Sequence, residues 1–338
     1  MGLDGLAILH QDSRNWALYR CVKCASRLES SGAQAVCTSC RTTFPILHGV
    51  LDTLVEPNEE VIREMKGMAR EMVGDVEGWK AIKVRLVEKT PELDELRSQT
   101  ANDPGAYYDQ TLMAFEQALR VIDGQPQARV LEVGADKGFH FLKRFGASRS
   151  ECHALNLHFD IPKAGDDVPW IQKTLGDMNA LPYANGVFDV VLLSATSHHS
   201  PHLDTTVAEV ARVLKPGGVA LFLNDQLSGW LKFVNTHTHG RDDLIHENFY
   251  SIRMYHRSFT KHGFKPQYLF SDFYDRKLSS GNISRGLRFA AVGKLLSLPW
   301  RNQWFREFAK SKLVWPAHLV FGFPLNAVLW KPKTPSPH

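Results

Sequence analysis

The stretch Ala128-Arg-Val-Leu-Glu-Val-Gly-Ala-Asp-Lys-Gly-Phe139 decides the fold. Arg129–Val133 is a short, β-branched apolar run and predicts a strand. Gly134 and Gly138 place glycine in the turn that follows, where backbone can approach a ligand closely. A helix after such a turn offers free amide groups to a carboxylate. A dinucleotide loop would need G-x-G-x-x-G. Counted from Gly134, the chain has Asp136 and Phe139 where that pattern needs glycine. Glu132-x-Gly134-x-x-x-Gly138 is the pattern that fits. Taken alone, an ordinary strand–turn–helix with incidental glycines reads equally well.

Reading downstream tips the balance. Short apolar runs predict strands at Arg129–Val133, His153–Leu157, Trp170–Leu175, Phe188–Ser194, Gly218–Leu223, Pro266–Phe273 and Asn326–Trp330, with a helix at Ser251–His262. Asn156 ends the second strand 22 residues after Gly134, near the ~20-residue spacing of a ribose-binding side chain. Then come Gly176-Asp-Met-Asn-Ala-Leu-Pro-Tyr183, Phe188-Asp-Val-Val191, His198-His199 and Glu209-Val-Ala-Arg-Val-Leu-Lys-Pro-Gly-Gly218. In order and spacing these segments resemble the methyltransferase type 11 branch of the class I methyltransferases, firmly over Ala128–Asp225 and loosely to Pro332.

The resemblance implies a Rossmann-like α/β fold: a seven-stranded, mostly parallel sheet with helices on both faces and an antiparallel last strand. It implies S-adenosyl-L-methionine as cofactor. Glu132 would order the loop and the amino end of the cofactor, while Gly134, Ala135, Asp136 and Gly138 form the turn around its methionine part. Asn156 would meet the ribose, Leu157 would flank the adenine, Asp177 would accept from the adenine amino group, and Met178 would pack on the ring. Ser194 would line the methyl-donor side. Two departures stand out: Asp136 replaces a common glycine, and Asn156 replaces an acid, a weaker acceptor for a hydroxyl.

A sulfonium methyl is already activated, so the protein supplies mainly position and, for some acceptors, a base. His198 and His199, just past the fourth strand, are the candidates, since imidazole titrates near neutral pH. Histidines in this loop also occur without such a role. Tyr107 and Tyr108 are candidate caps on the site, or simply aromatic faces of a helix starting near Pro104. His237, His239 and His246 with Asp242, Asp243 and Glu247 match no ligand spacing and read as a substrate-side loop. Ser194-Ala-Thr-Ser197 stands where exocyclic-amine nucleobase enzymes carry Asn/Asp-Pro-Pro-Tyr. Cys152 reads as a small buried apolar residue.

Four of the five cysteines form Cys21-x2-Cys24, twelve residues, then Cys37-x2-Cys40. Two tight turns that each present two thiolates predict a closed, structural zinc site. The organisation expected is a zinc ribbon at 17–56, a helical cap at 57–127 and a methyltransferase domain at 128–338 with a basic insertion near 279–325. Within that insertion, Gly281–Trp315 carries seven Lys/Arg against Glu307, interleaved with Trp300, Trp304, Trp315, Phe289, Phe305 and Phe308. A substrate lid is the favoured reading, with peripheral membrane contact second.

With 338 residues, 43% hydrophobic and 22% charged, the chain reads as a globular protein able to bury a large core. A net charge of +4 permits an anionic partner without requiring one. No basic-then-apolar leader and no run of about 20 apolar residues is visible, so a cytoplasmic protein, at most peripheral at a membrane, is expected. The function expected is methylation of oxygen or nitrogen on a small-molecule, glycan or lipid-precursor acceptor. Two alternatives are an RNA methyltransferase gripping RNA through the ribbon and the insertion, and a non-catalytic cofactor-binding partner protein.

Overall fold

A computed structural model describes residues 14–91, 95, 112–123, 125, 127–135, 138–146, 150–229, 244–245, 247–270, 298–321 and 324–333. Four short strands come first: β1 (Leu28–Ser31), β2 (Gln34–Cys37), β3 (Thr43–Leu47) and β4 (Val50–Asp52). Helix α1 (Glu59–Val73) follows. Asn58 starts it by accepting from the Val61 amide at 2.8 Å, Glu59 and Glu60 favour its positive end, and Gly74 stops it at φ 73°. Strand β5 (Val84–Val87) and helix α2 (Leu112–Ile122) lead into β6 (Arg129–Val133). Next come α3 (His140–Gly146), β7 (Glu151–Asn156), β8 (Phe159–Pro162), β9 (Ile171–Leu175) and β10 (Phe188–Ser194). Helix α4 (Leu203–Val213), β11 (Leu214–Asp225), α5 (Ile252–Lys261), β12 (Lys265–Tyr268), α6 (Gln303–Lys312), α7 (Val314–Phe321) and β13 (Leu325–Trp330) complete the described chain.

Among the described residues the main sheet has eleven strands in the order β1-β2-β3-β4-β9-β7-β6-β10-β11-β13-β12. The seven strands from β9 to β12 are those read from the sequence, and β13 runs antiparallel to both neighbours. The expectation of a seven-stranded sheet is corrected by the other four. β4 pairs parallel with β9, Leu51 opposite Thr174 and Asp52 opposite Leu175, so the cysteine-bearing strands continue the sheet. Backbone that a sheet edge would leave unpaired is thereby covered. The pairing continues one residue further, where the Thr53 amide donates to the Leu175 carbonyl at 3.0 Å. This long-range contact leaves no periodic trace in the sequence.

All seven residues of β10 are buried, as a central strand covered on both faces requires. One face packs Val191, Leu193, Phe222, Tyr255 and Phe259, the other Val190, Leu192, Phe115 and Phe141. Each fully buried Leu or Phe there contributes about 1.5–3 kcal/mol relative to exposure. Tyr19, from the cysteine-bearing segment, stacks among Tyr183 and His153 on the first face. A separate pair, β5 with β8, lies parallel. Among the described residues no helix is long and apolar enough to cross a membrane.

Candidate functional site

β6, β7, β9, β10 and β11 are parallel, so the loops leaving their carboxyl ends share one edge. Gly134, at φ 74°, leaves β6 there. A Cβ added to it would lie 2.3 Å from the Thr196 side chain, so glycine is what lets the loops after β6 and β10 touch. The amides of Gly134 and Ala135 both donate to the Leu155 carbonyl, at 2.8 and 3.2 Å. A Cβ on Gly138 would lie 2.3 Å from Nε2 of His140. That histidine is buried, and its Nδ1 has no hydrogen-bond partner. Phe139, Ala195 and Asn224 hold left-handed backbone at φ 50°, 49° and 59°, strain of about 1–3 kcal/mol each gathered at this edge.

The expected cofactor residues that are described lie on β6, β7 and β10 or in the loops that follow β6, β7 and β9. Glu132 is buried in β6. Nδ2 of Asn156 donates to the Ala135 carbonyl at 2.7 Å, and its Oδ1 accepts from the Leu157 amide at 2.8 Å. One donor hydrogen and one lone pair of that amide remain. Oδ1 of Asp177 accepts from the Asn179 amide at 2.8 Å and from its Nδ2 at 3.1 Å, and Oδ2 accepts from Nδ2 of Asn58 at 3.4 Å. A carboxylate offers about four acceptor positions, so one stays open. Burial pushes the Asp177 carboxyl above its ordinary range, opposed by the Asn179 donors. Half-buried Leu157 and Met178 pack on opposite core faces, and Ser194 is buried at the end of β10. A glycine-lined turn, an orphaned His140 nitrogen and residual acceptor positions on Asp177 and Asn156 fit an adenosyl amino acid.

On the acceptor side, Nδ1 of His198 donates to Oδ1 of Asp225 at 2.9 Å, and the His198 amide donates to the same oxygen at 3.1 Å. Ser197 Oγ donates to the other Asp225 oxygen at 2.8 Å and lies 2.8 Å from the Tyr255 hydroxyl. Asp225 is fully buried. The His199 ring lies 4.3 Å from that of His198, with Nδ1 3.1 Å from Oε1 of Glu64 on α1. Burial opposes charge on His199, but Glu64, with Glu247 and Asp225 nearby, outweighs it and raises its pKa. α1 therefore lies across the loops: Glu60 meets His202 at 2.9 Å, and Asn58 meets Asp177.

The four cysteine sulfurs lie within 4.8 Å of one another, with Cys21–Cys40 at 3.6 Å and Cys24–Cys37 at 3.4 Å. Tetrahedral zinc with Zn–S near 2.3 Å needs sulfurs about 3.8 Å apart. Ala25 and Arg41, each directly after the second cysteine of its pair, take left-handed φ of 61° and 60°, so the two knuckles match. The cluster is compatible with a zinc ribbon.

Residues 131–222 match the family model described as a methyltransferase domain. This segment is a methyltransferase domain. The demethylmenaquinone methyltransferase of Streptomyces avermitilis is 27% identical over 122 residues, 35% of this chain and 52% of that one. A phthiotriol/phenolphthiotriol dimycocerosates methyltransferase of Mycobacterium ulcerans is 43% identical over 104 residues, 28% of this chain and 36% of that one. The chain thus spans about half the length or less of these relatives. Among solved structures, the YcgJ protein of Bacillus subtilis covers 66% of this chain and 100% of its own at 19% identity and a TM-score of 0.40.

Sequence reasoning missed Asp225, Glu64 and Asn58, and read Glu247 only as part of a substrate-side loop. An acid ending the apolar run of β11 was a usable signal for Asp225; the others sit in unremarkable polar positions. Asp136, Tyr107, Tyr108, His237, His239, Asp242, Asp243 and His246 lie outside the described residues, as does 281–297 of the basic stretch. In its described part, Trp304 and Phe308 stack at 5.8 Å on the exposed face of α6. Cys152 is buried, and burial pushes its thiol up to about 12, in keeping with a packing role.

Proposed function

We propose that this protein is an S-adenosylmethionine-dependent methyltransferase acting on a small-molecule, glycan or lipid-precursor acceptor. The observation that carries the reading is the meeting of Gly134 with Thr196, which joins the cofactor loop to the loop bearing His198 and His199. When bound, S-adenosylmethionine supplies a methyl carbon already activated by its sulfonium. The chain's own residues do the rest. Gly134, Ala135 and Gly138 shape the turn for the methionine part, Asn156 and Asp177 offer their remaining positions to ribose and adenine, and Leu157 and Met178 flank the base. α1 excludes water above them. His198 and His199 hold the acceptor, whose proton is lost at that pair. Demethylmenaquinone and phthiotriol dimycocerosates, named for two relatives, are lipids, which supports a lipid-precursor acceptor. The four cysteines hold structural zinc.

Calorimetric titration with S-adenosylmethionine tests the cofactor half, and S-adenosylhomocysteine release in the presence of fractionated metabolite and lipid extracts tests the acceptor half. His198→Ala and His199→Ala should each reduce turnover far more than cofactor affinity. No heat of cofactor binding would end the methyltransferase reading. Binding without turnover on any extract would favour a partner protein.

A further inference from the structure

One nitrogen of His198, one nitrogen of His199 and one carboxylate oxygen of Glu247 lie within 4.8 Å of one another. Each histidine has its Nδ1 against a buried carboxylate: His198 on Asp225 at 2.9 Å, His199 on Glu64 at 3.1 Å. Metal-ligating histidines almost always place their second ring nitrogen on a carboxylate or carbonyl, as His198 does on Asp225. Two imidazoles side by side, centroids 4.3 Å apart and planes tilted by 36°, exceed what a single proton acceptor needs. Glu247 is held beside them through its neighbour: the amide and Nδ2 of Asn248 donate to the His198 carbonyl at 2.9 and 3.1 Å. Three carboxylates, Asp225, Glu64 and Glu247, lie about the two rings and favour a cation there.

We propose that His198, His199 and Glu247 bind a divalent transition-metal cation, at a site separate from the four-cysteine cluster. Two imidazoles and one carboxylate suit first-row divalent ions. Three protein ligands leave coordination positions open, as catalytic sites do and closed four-thiolate sites do not. An acceptor meeting the cation at those positions would be one that presents oxygen: a hydroxyl or enol, alone or beside a second oxygen. A cation bound to that oxygen lowers the pKa of its proton, which then leaves to solvent. This rests on the reading that the acceptor meets the histidine pair, and it specifies how. An Nε2 lone pair serves a cation or a proton, so the cation replaces free imidazole as the cause of deprotonation.

The test is equilibrium dialysis of the full chain against low-micromolar Zn2+, followed by metal analysis, for the wild type, Glu247→Gln and His199→Gln. Both positions are only half-buried, and thermal unfolding checks each fold. The wild type is expected to retain one more zinc per chain than either variant. Equal zinc in all three, at any stoichiometry, overturns the proposal. S-adenosylmethionine titration of the same samples keeps the two readings apart. Affinity retained in the variants shows the zinc loss to be local. Failure of the wild type to bind the cofactor would remove the methyltransferase reading and leave the zinc difference to be judged by itself. Turnover undiminished in wild type stripped of the additional zinc would overturn the cation's role in deprotonation while leaving methyl transfer intact.

Discussion

Nδ2 of Asn156 donates to the carbonyl of Ala135 across 2.7 Å, tying the end of β7 to the glycine turn after β6. The same side chain accepts from the Leu157 amide. An amide can do both; a carboxylate can do only the second, and would set an oxygen against the Ala135 carbonyl. This is a physical reason for asparagine where the resembling family carries an acid. Asn156→Ala removes both bonds, each worth about 1 kcal/mol net. Cofactor affinity by calorimetry should fall roughly 10-fold. Asn156→Asp should also weaken it; an increase would refute this account of the loop.

Gly134→Ala places a methyl group into Thr196 at a left-handed residue. The cost expected is about 1–3 kcal/mol of stability from backbone strain alone. Cofactor binding should be lost with it, because the turn must move. Urea unfolding and calorimetry on the same variant measure both, and wild-type values in either would contradict the close approach.

Zinc removal should be felt beyond the ribbon. β4 pairs with β9, and Tyr19 lies in the aromatic group with Tyr183 and His153. Cys21→Ser, or chelation, is expected to lower the thermal midpoint of the whole chain by roughly 5–10 °C, as a loss of about 3 kcal/mol would. A chelated sample with an unchanged midpoint would show that the strands hold together without metal.

Glu151 carries a pH dependence. Its carboxyl contacts His153 at 3.1 Å and Arg129 at 2.8 Å, and these partners hold it down at about 2 against an ordinary 4.5, burial opposing. Above pH 4.5 the carboxylate is ionised in both states and its stabilisation is complete. As pH falls from 4.5 towards about 2, the unfolded chain takes up a proton first and the stabilisation is lost. Partial exposure keeps the amount small. Denaturant unfolding across that interval should show a slope that Glu151→Gln flattens, and an identical slope in both proteins would rule out the linkage.

Several elements were readable because their cause is local. Arg129–Val133 and Phe188–Ser194 are strands with the bounds that their apolar runs mark. β11 is longer than read, Leu214–Asp225 instead of Gly218–Leu223, because Leu214 already pairs with Phe188, after which Lys-Pro-Gly-Gly bulges out of register and pairing resumes at Val219 opposite Val190. The long extension of the sheet through β4 was invisible for the opposite reason: three residues, Val50–Asp52, have no period, and their pairing with β3 on one side and β9 on the other joins the cysteine-bearing strands to the sheet.

By itself, the sequence determined the glycine turn at Gly134 and Gly138, the order of strands around it, and four cysteines at zinc-ribbon spacing, since turn chemistry, apolar runs and ligand spacing act between near neighbours. Tertiary structure alone decided that His198 rests on Asp225, that His199 rests on Glu64, and that Glu247 stands beside both. Those partners lie on separate elements, and nothing short of the packed sheet with α1 across its edge brings three carboxylates to two adjacent rings.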